Sequence, residues 1–151
     1  MLHFGYMARV LHGCASQAMN EALSSMNLTS AQGHLMGFLA HSDQPPCARD
    51  LEEAFHLSHP TVSGLLSRLE RKEFLEFRPD PSDRRCKRIY ILPKGRECLE
   101  VMEATIRNNE KRLLRGFSPE EQKQFADYLT RAIQNFGTDP EGCCHREVKQ
   151  E

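Results

Sequence analysis

Residues 59–92 read HPTVSGLLSRLERKEFLEFRPDPSDRRCKRIYIL and carry the strongest structural signals in this chain of 151 residues. The first part predicts a helix from about Pro60 to Lys72, because proline fits the first helical turn and apolar residues recur at helical spacing. The second part alternates with period two over residues 75–78 and 88–92. The segment between these two runs is polar and rich in turn-forming residues, so the sequence predicts a β-hairpin with a long charged tip.

The segments on either side of this stretch predict helices. Upstream, helical spacing indicates helices over residues 2–26, 28–41 and 47–55, with a turn at residues 56–58. Thr29 and Gln32 have the spacing of a capping box at the start of the second helix. Downstream, helices are predicted over residues 94–115 and 118–136, the latter begun by Ser118, Pro119 and Glu121. The predicted fold class is therefore mainly α with a small β-wing, in which a short helix, a turn, a second helix and a hairpin form a winged helix-turn-helix.

The charge is unevenly distributed along the chain, although the net charge is only -1. Residues 68–96 contain ten basic and five acidic residues, whereas residues 1–67 and 97–151 each have a net charge of -3. A cationic block between acidic flanks is the pattern expected of a surface that binds phosphate. A solvated surface of mixed charge is the alternative interpretation of the same pattern.

The predicted second helix of the motif and the hairpin tip supply the candidate DNA contacts. A helix fits the major groove, where short polar side chains can meet base edges and a long arginine can reach guanine or phosphate. A glycine on the same face permits close approach, and a basic hairpin tip can enter the adjacent minor groove. The candidates are Ser58, His59, Thr61, Ser63, Gly64, Ser67, Arg68, Arg84, Arg85 and Lys87. A solvated helix face and a solubilising turn are the alternatives.

At these residues the chain resembles the MarR family of transcriptional regulators. The resemblance begins at LTSAQ (residues 28–32), passes through HPTVSGLLSRLE (59–70) and FLEFR (74–78), and ends with DPSDRR (80–85) and LPKG (92–95). It implies double-stranded DNA as a partner, a homodimeric repressor on a palindromic operator, and entry of Arg85 or Arg84 into the minor groove. Two departures from the family pattern are Pro93, where threonine is usual, and the His59-Pro60 start, which affects the entry angle of the helix.

The resemblance also implies a domain organisation and an effector. Residues 1–28 and 94–136 would form a helical dimerisation region, and residues 29–93 the winged helix-turn-helix DNA-binding domain. A small aromatic or phenolic molecule would release the protein from DNA. Its pocket would involve His12, Met19, His34 and Phe38, for which ordinary core packing is the alternative. The polar residues 137–151 are expected to form a disordered tail.

The six cysteines form no CxxC pair, and we expect them to be reduced thiols. Cys86 is a redox candidate because it lies between Arg85 and Lys87, a setting that can lower a thiol pKa. Cys14 is assigned to packing. Cys143, Cys144 and His145 lack the further ligands of a structural zinc site, so neither a metal nor a cofactor is expected.

Other functions are less compatible with the sequence. No apolar run approaches the roughly 20 residues that a membrane helix needs, and the first ten residues do not resemble a secretory signal. We therefore expect a cytoplasmic protein without a membrane partner. No catalytic motif is present, which argues against an enzyme. A redox- or metal-responsive regulator of the same fold and a winged-helix protein-interaction module remain as alternatives.

Overall fold

The computed structural model describes residues 3–137, which contain six helices and one two-stranded antiparallel sheet. The elements are α1 (Phe4–Ser25), α2 (Ser30–His41), α3 (Ala48–Phe55), α4 (His59–Arg71), β1 (Leu75–Pro79), β2 (Lys87–Ile91), α5 (Pro93–Leu113) and α6 (Pro119–Gln134). This order confirms the predicted fold class, a mainly helical winged helix-turn-helix. The predicted tail lies outside the described residues, apart from Gly137.

Local signals in the sequence account for several helix starts. The Thr29 hydroxyl accepts a hydrogen bond from the Gln32 N–H at 3.3 Å, and the Gln32 side chain accepts one from the Thr29 N–H at 3.1 Å. Ser118 and Glu121 form the same reciprocal pair at the start of α6. The predicted capping box of α2 and the predicted start of α6 are therefore confirmed. Each reciprocal pair satisfies two backbone donors that the first helical turn leaves without partners.

The core lies where α2, α3, α4 and the sheet meet. Its fully buried side chains include Leu35, Met36, Leu51, Val62, Leu66, Leu69 and Leu75. Val62, Leu66 and Leu69 come from one face of α4, which leaves the opposite face of that helix exposed. Burial of this apolar stripe fixes the rotation of α4 about its own axis, and so determines which side chains the helix presents outward.

The hairpin is anchored to the helices at both of its ends. Its register pairs Leu75 with Ile91 and Phe77 with Ile89. On the edge of β2 that does not pair with β1, the Ile89 N–H donates to the Pro46 carbonyl at 2.9 Å. Cys47 pairs with Arg88 on this edge in an isolated bridge. A Cβ on Gly95 would lie 2.2 Å from the Phe74 carbonyl oxygen, so only glycine permits α5 to begin this close to the sheet.

The long helices α1 and α5 pack together away from the hairpin, where the Asn109 amide donates to the Ala15 carbonyl at 3.1 Å. Much of the apolar surface of α1, α5 and α6 is nevertheless exposed. In α1 only Leu23 is buried, and α6 has no buried residue at all. Within residues 3–137, no helix combines the length and the apolar character needed to cross a bilayer.

Candidate nucleic-acid interface

The helix-turn-helix consists of α3, a turn at residues 56–58, and α4. His56 adopts a left-handed conformation (φ 53°) that ends α3, and the Leu57 N–H closes the turn by donating to the Glu52 carbonyl at 3.2 Å. Ser58 then begins α4 in extended conformation, and its hydroxyl lies 2.8 Å from the Thr61 hydroxyl. These two candidate contact residues are thus positioned by one another at the start of α4.

The exposed face of α4 carries five of the candidate DNA contacts. Thr61, Ser63, Gly64, Ser67 and Arg68 are all exposed, opposite the buried apolar stripe. A Cβ added to Gly64 would meet no atom within 4 Å, so the glycine is not required by packing inside the chain. This face therefore carries short side chains over its first two turns, followed by the long cationic side chain of Arg68.

His59, another candidate contact, is already engaged within the motif. Its Nδ1 lies 2.5 Å from a carboxylate oxygen of Glu52, so the imidazole joins the start of α4 to α3. The histidine remains largely exposed. Sequence reasoning did not identify this pair, because residues 52 and 59 become neighbours only through the geometry of the turn.

Asp80 organises the wing, which we define as residues 75–91. One of its carboxylate oxygens accepts hydrogen bonds from the Ser82 hydroxyl (2.6 Å), the Ser82 N–H (2.7 Å) and the Asp83 N–H (3.3 Å). The other accepts from Arg88 Nε at 2.6 Å. The Ser82 hydroxyl and Arg88 hold the pKa of the Asp80 carboxyl well below its usual value. The DPSDRR segment therefore contains a structural clamp as well as cations, a role that the sequence analysis did not assign.

Several cations of the basic block hold the structure together. Arg88 also donates to the Pro45 carbonyl at 3.2 Å, and Lys94 donates to the Lys72 carbonyl at 2.8 Å. Arg78 pairs with Glu76 and stacks over Tyr90, with its guanidinium 4.5 Å from the ring centroid. These side chains are less available to phosphate than the sequence count suggested.

Five further cations of the basic block lie on α4 and in the wing. Arg68, Arg71, Arg84, Arg85 and Lys87 are exposed, and within residues 3–137 none of their side chains forms an ion pair. Asp83 accepts a hydrogen bond from the Arg85 backbone N–H at 3.0 Å, which shapes the tip while leaving the guanidinium exposed. Arg71 was missed by the sequence analysis, although its position after Arg68 on α4 would have identified it.

The environment of the Cys86 thiol differs from the one that the sequence predicted. Cys86 is half-buried at the base of the wing tip, where its thiol interacts with the thiol of Cys47. Burial and the Cys47 thiol raise the pKa of Cys86, and the effect of Arg88 in the opposite direction is smaller. The expectation of a lowered pKa was therefore wrong, because the neighbouring cations extend into solvent while the thiol faces inward.

The candidate effector residues have different surroundings in the single chain. His12 is exposed on α1, Met19 and His34 are half-buried, and Phe38 packs edge-on against Phe55 with the ring centroids 5.4 Å apart. An open cleft of about 380 Å³ reaches Phe38 and is bordered otherwise by His41, Ser42, Asp43, Gln44, Pro46, Asp50 and Arg88. The effector pocket stays a prediction.

Metal ligands are not grouped in the described part of the chain. Residues 3–137 contain no cluster of three or more histidine, cysteine, aspartate or glutamate side chains suited to a metal. Cys143, Cys144 and His145 lie outside the described residues.

The chain is similar to known transcriptional regulators in sequence and in structure. A family model described as the MarR family matches residues 26–85. A Staphylococcus aureus MepR–DNA complex is 29% identical over 87% of this chain and 98% of the MepR chain, with a TM-score of 0.74. A second MepR structure, described as a transcription regulator of the multidrug efflux pump MepA, is 28% identical over 89% and 99% of the two chains, with a TM-score of 0.77. A putative regulator from Clostridium acetobutylicum is 26% identical over 87% and 97%, with a TM-score of 0.71.

Proposed function

Because this chain belongs to the MarR family of DNA-binding transcriptional regulators, we propose that it is a homodimeric repressor that leaves a palindromic operator when a small aromatic or phenolic effector binds. The main observation in support of this proposal is that two exposed features are joined in one part of the fold. The polar face of α4 and the cationic wing tip follow one another in the chain and are held together by the sheet and the Arg88 contacts.

In this proposal α4 enters the major groove. Ser63, Gly64 and Ser67 allow the helix to approach the base edges closely, and Arg68 contacts a guanine or a backbone phosphate. Ser58, His59 and Thr61, at the start of α4, contact the flanking phosphates, which fix the register of the helix on the duplex. Their existing partners within the motif limit the conformational entropy that they lose on binding.

The wing supplies the second set of contacts. We assign Arg85, with Arg84 as its neighbour, to the minor groove beside the site that α4 occupies. Arginine is favoured there because a narrow minor groove has an enhanced negative potential. Lys87, at the start of β2, contacts phosphate. Arg71, exposed at the end of α4, is added to the phosphate-contacting set on the basis of its position.

Dimerisation is assigned to residues 1–28 and 94–136, with residues 29–93 as the DNA-binding domain. Support comes from apolar side chains that the single chain leaves exposed in α1, α5 and α6. They include Phe4, Tyr6, Met7, Val10 and Leu11 near the start of the chain and Ile106, Tyr128, Leu129 and Ile133 near its end. So many exposed apolar side chains on the terminal helices are typical of an interface that a partner covers. A dimer would place two α4 helices about 34–36 Å apart, one turn of DNA.

Release by an effector requires two arrangements of the dimer. A molecule that binds better to the arrangement with unsuitable α4 spacing shifts the population toward it and lowers operator affinity. The candidate residues remain His12, Met19, His34 and Phe38. The chain acts in this account by binding and changing shape, without catalysis.

Selection of bound sequences from a randomised duplex pool tests the proposal. The expected result is a palindrome whose half-sites are about one helical turn apart, bound with an affinity that falls steeply with salt. A chain that retains no duplex at low salt would instead be a winged-helix protein-interaction module.

A further inference from the structure

Two cysteines from distant parts of the chain meet where the wing joins the helix-turn-helix. Cys47 is the residue before α3, and Cys86 ends the wing tip just before β2. Both are half-buried, and neither is engaged in a disulfide. The antiparallel bridge between Cys47 and Arg88 brings Cys47 beside the segment that contains Cys86.

The backbone explains why these thiols meet. Cys47 pairs with Arg88 in an antiparallel bridge, and the adjacent Pro46 carbonyl accepts the Ile89 N–H at 2.9 Å. Cys86 is two residues before Arg88, so it occupies the diagonal position to Cys47 on the same side of this ribbon. Diagonal neighbours have Cα atoms about 7–8 Å apart, whereas a disulfide needs about 4.4–6.8 Å. A bond between these cysteines therefore requires a small movement of the wing base toward α3.

We propose that Cys47 and Cys86 form a redox-sensitive dithiol, which a peroxide converts to an intramolecular disulfide that weakens DNA binding. The regulatory part of this inference rests on the proposed function. The chemical part, formation of the bond, does not depend on it.

The reaction with hydrogen peroxide balances without another reactant. The Cys47 thiolate attacks one peroxide oxygen, the O–O bond breaks, and the departing hydroxide takes up a proton as water. This step leaves a sulfenic acid on Cys47. The Cys86 sulfur then attacks the Cys47 sulfur, the S–O bond breaks, and the hydroxyl leaves as a second water with the Cys86 proton. Two thiols and one peroxide thus yield one disulfide and two waters.

The order of these steps follows from the surroundings of Cys86. Burial and the Cys47 thiol raise the pKa of Cys86, so this thiol is poorly suited to the attack on peroxide at neutral pH. We therefore assign Cys86 to the second step. A thiol with a raised pKa attacks slowly, so we expect closure of the disulfide to be the slower of the two steps.

The consequence for DNA binding comes from the position of Cys86 in the wing. It directly follows Arg85, and its backbone N–H donates to the Asp83 carbonyl at 3.0 Å, so displacement of Cys86 toward α3 displaces the whole tip. A tip that is tied to α3 can no longer adjust to the groove beside α4. We expect a loss of affinity of roughly fivefold or more, the lower end of typical coupling between sites.

The test uses the full chain with Cys14, Cys143 and Cys144 changed to serine, which leaves Cys47, Cys86 and the buried Cys98. After treatment with hydrogen peroxide, trypsin digestion without reductant should yield peptide 10–49 linked to peptide 86–87, and reductant should separate them. The same protein should lose at least about fivefold in affinity for a duplex that its reduced form selected from a random pool. Reductant should restore the affinity, and neither Cys47→Ser nor Cys86→Ser should respond.

Each failure has a distinct meaning. If the reduced protein binds DNA but no linked peptide forms in the folded chain, the dithiol inference is wrong and the proposed function stands. If the linked peptide forms and affinity is unchanged, the regulatory part is wrong. If the reduced protein binds no duplex, the proposed function fails, and the linked peptide alone decides the chemical part.

Discussion

Arg88 Nε donates a hydrogen bond to a carboxylate oxygen of Asp80 at 2.6 Å across the base of the wing. The other Asp80 oxygen holds Ser82 and Asp83, while the guanidinium of Arg88 reaches the Pro45 carbonyl before α3. This pair thus links the conformation of the wing tip to the position of the helix-turn-helix. The position of Arg84 and Arg85 relative to α4 is therefore set by contacts within the folded chain.

Asp80→Asn is expected to loosen the wing tip and to flatten the acid end of the stability profile. The folded-state pKa of Asp80 lies below its usual value of 3.8, so the carboxylate stabilises the fold above that pH. This stabilisation is lost as the pH falls below about 4 toward the folded-state value. Urea midpoints measured from neutral to acidic pH should fall more steeply for the parent than for Asp80→Asn. Parallel profiles would show that the clamp contributes nothing to stability.

Gly64→Ala is expected to separate stability from DNA binding. No atom lies within 4 Å of the added methyl group, and alanine in a helix interior is favoured over glycine by about 1 kcal/mol, so the chain should become more stable. Specific DNA affinity should fall, because the methyl group projects from the face that we propose to approach the bases. Thermal unfolding and duplex binding measure the two effects. A variant with unchanged specific affinity would mean that Gly64 does not face the DNA.

Ile106→Asp is expected to weaken the dimer. Ile106 is 51% exposed on α5 in the single chain, so a charge there costs little in the monomer but would be desolvated in an apolar interface. Sedimentation should show a shift toward the monomer for this variant. Asn108→Asp, a charge introduced at an exposed position two residues further along α5, serves as the matched control. Equal dissociation constants for both variants would place the interface elsewhere.

Local sequence patterns predicted the elements well because their causes lie within a few residues. The Thr29–Gln32 capping box spans a single turn, and the apolar stripe of α4 repeats along one helix, so each was visible before the structure. The hairpin limits were likewise set by alternation and turn residues.

Contacts between distant residues could not be predicted in this way. The sequence shows Asp80 and Arg88 only as charges in a turn-rich segment, and their pairing depends on the shape of the tip. The contact between Cys47 and Cys86 depends on the bridge that sets residues 46–47 beside β2. For the same reason the charge count identified a basic block, whereas only the fold shows that Arg78, Arg88 and Lys94 are used internally.

The central claim is that the wing-tip arginines bind duplex DNA together with α4, and the salt dependence of binding by Arg84→Ala/Arg85→Ala tests it most directly. Each cationic charge removed from the DNA surface should lower the slope of log affinity against log salt by about 0.9, because fewer counterions are released on binding. Because the proposed dimer presents four of these arginines, we expect a weaker complex with a slope reduced by about two to four, while Lys123→Ala, at an exposed lysine on α6, leaves both unchanged. An affinity and a slope equal to those of the parent would contradict the account.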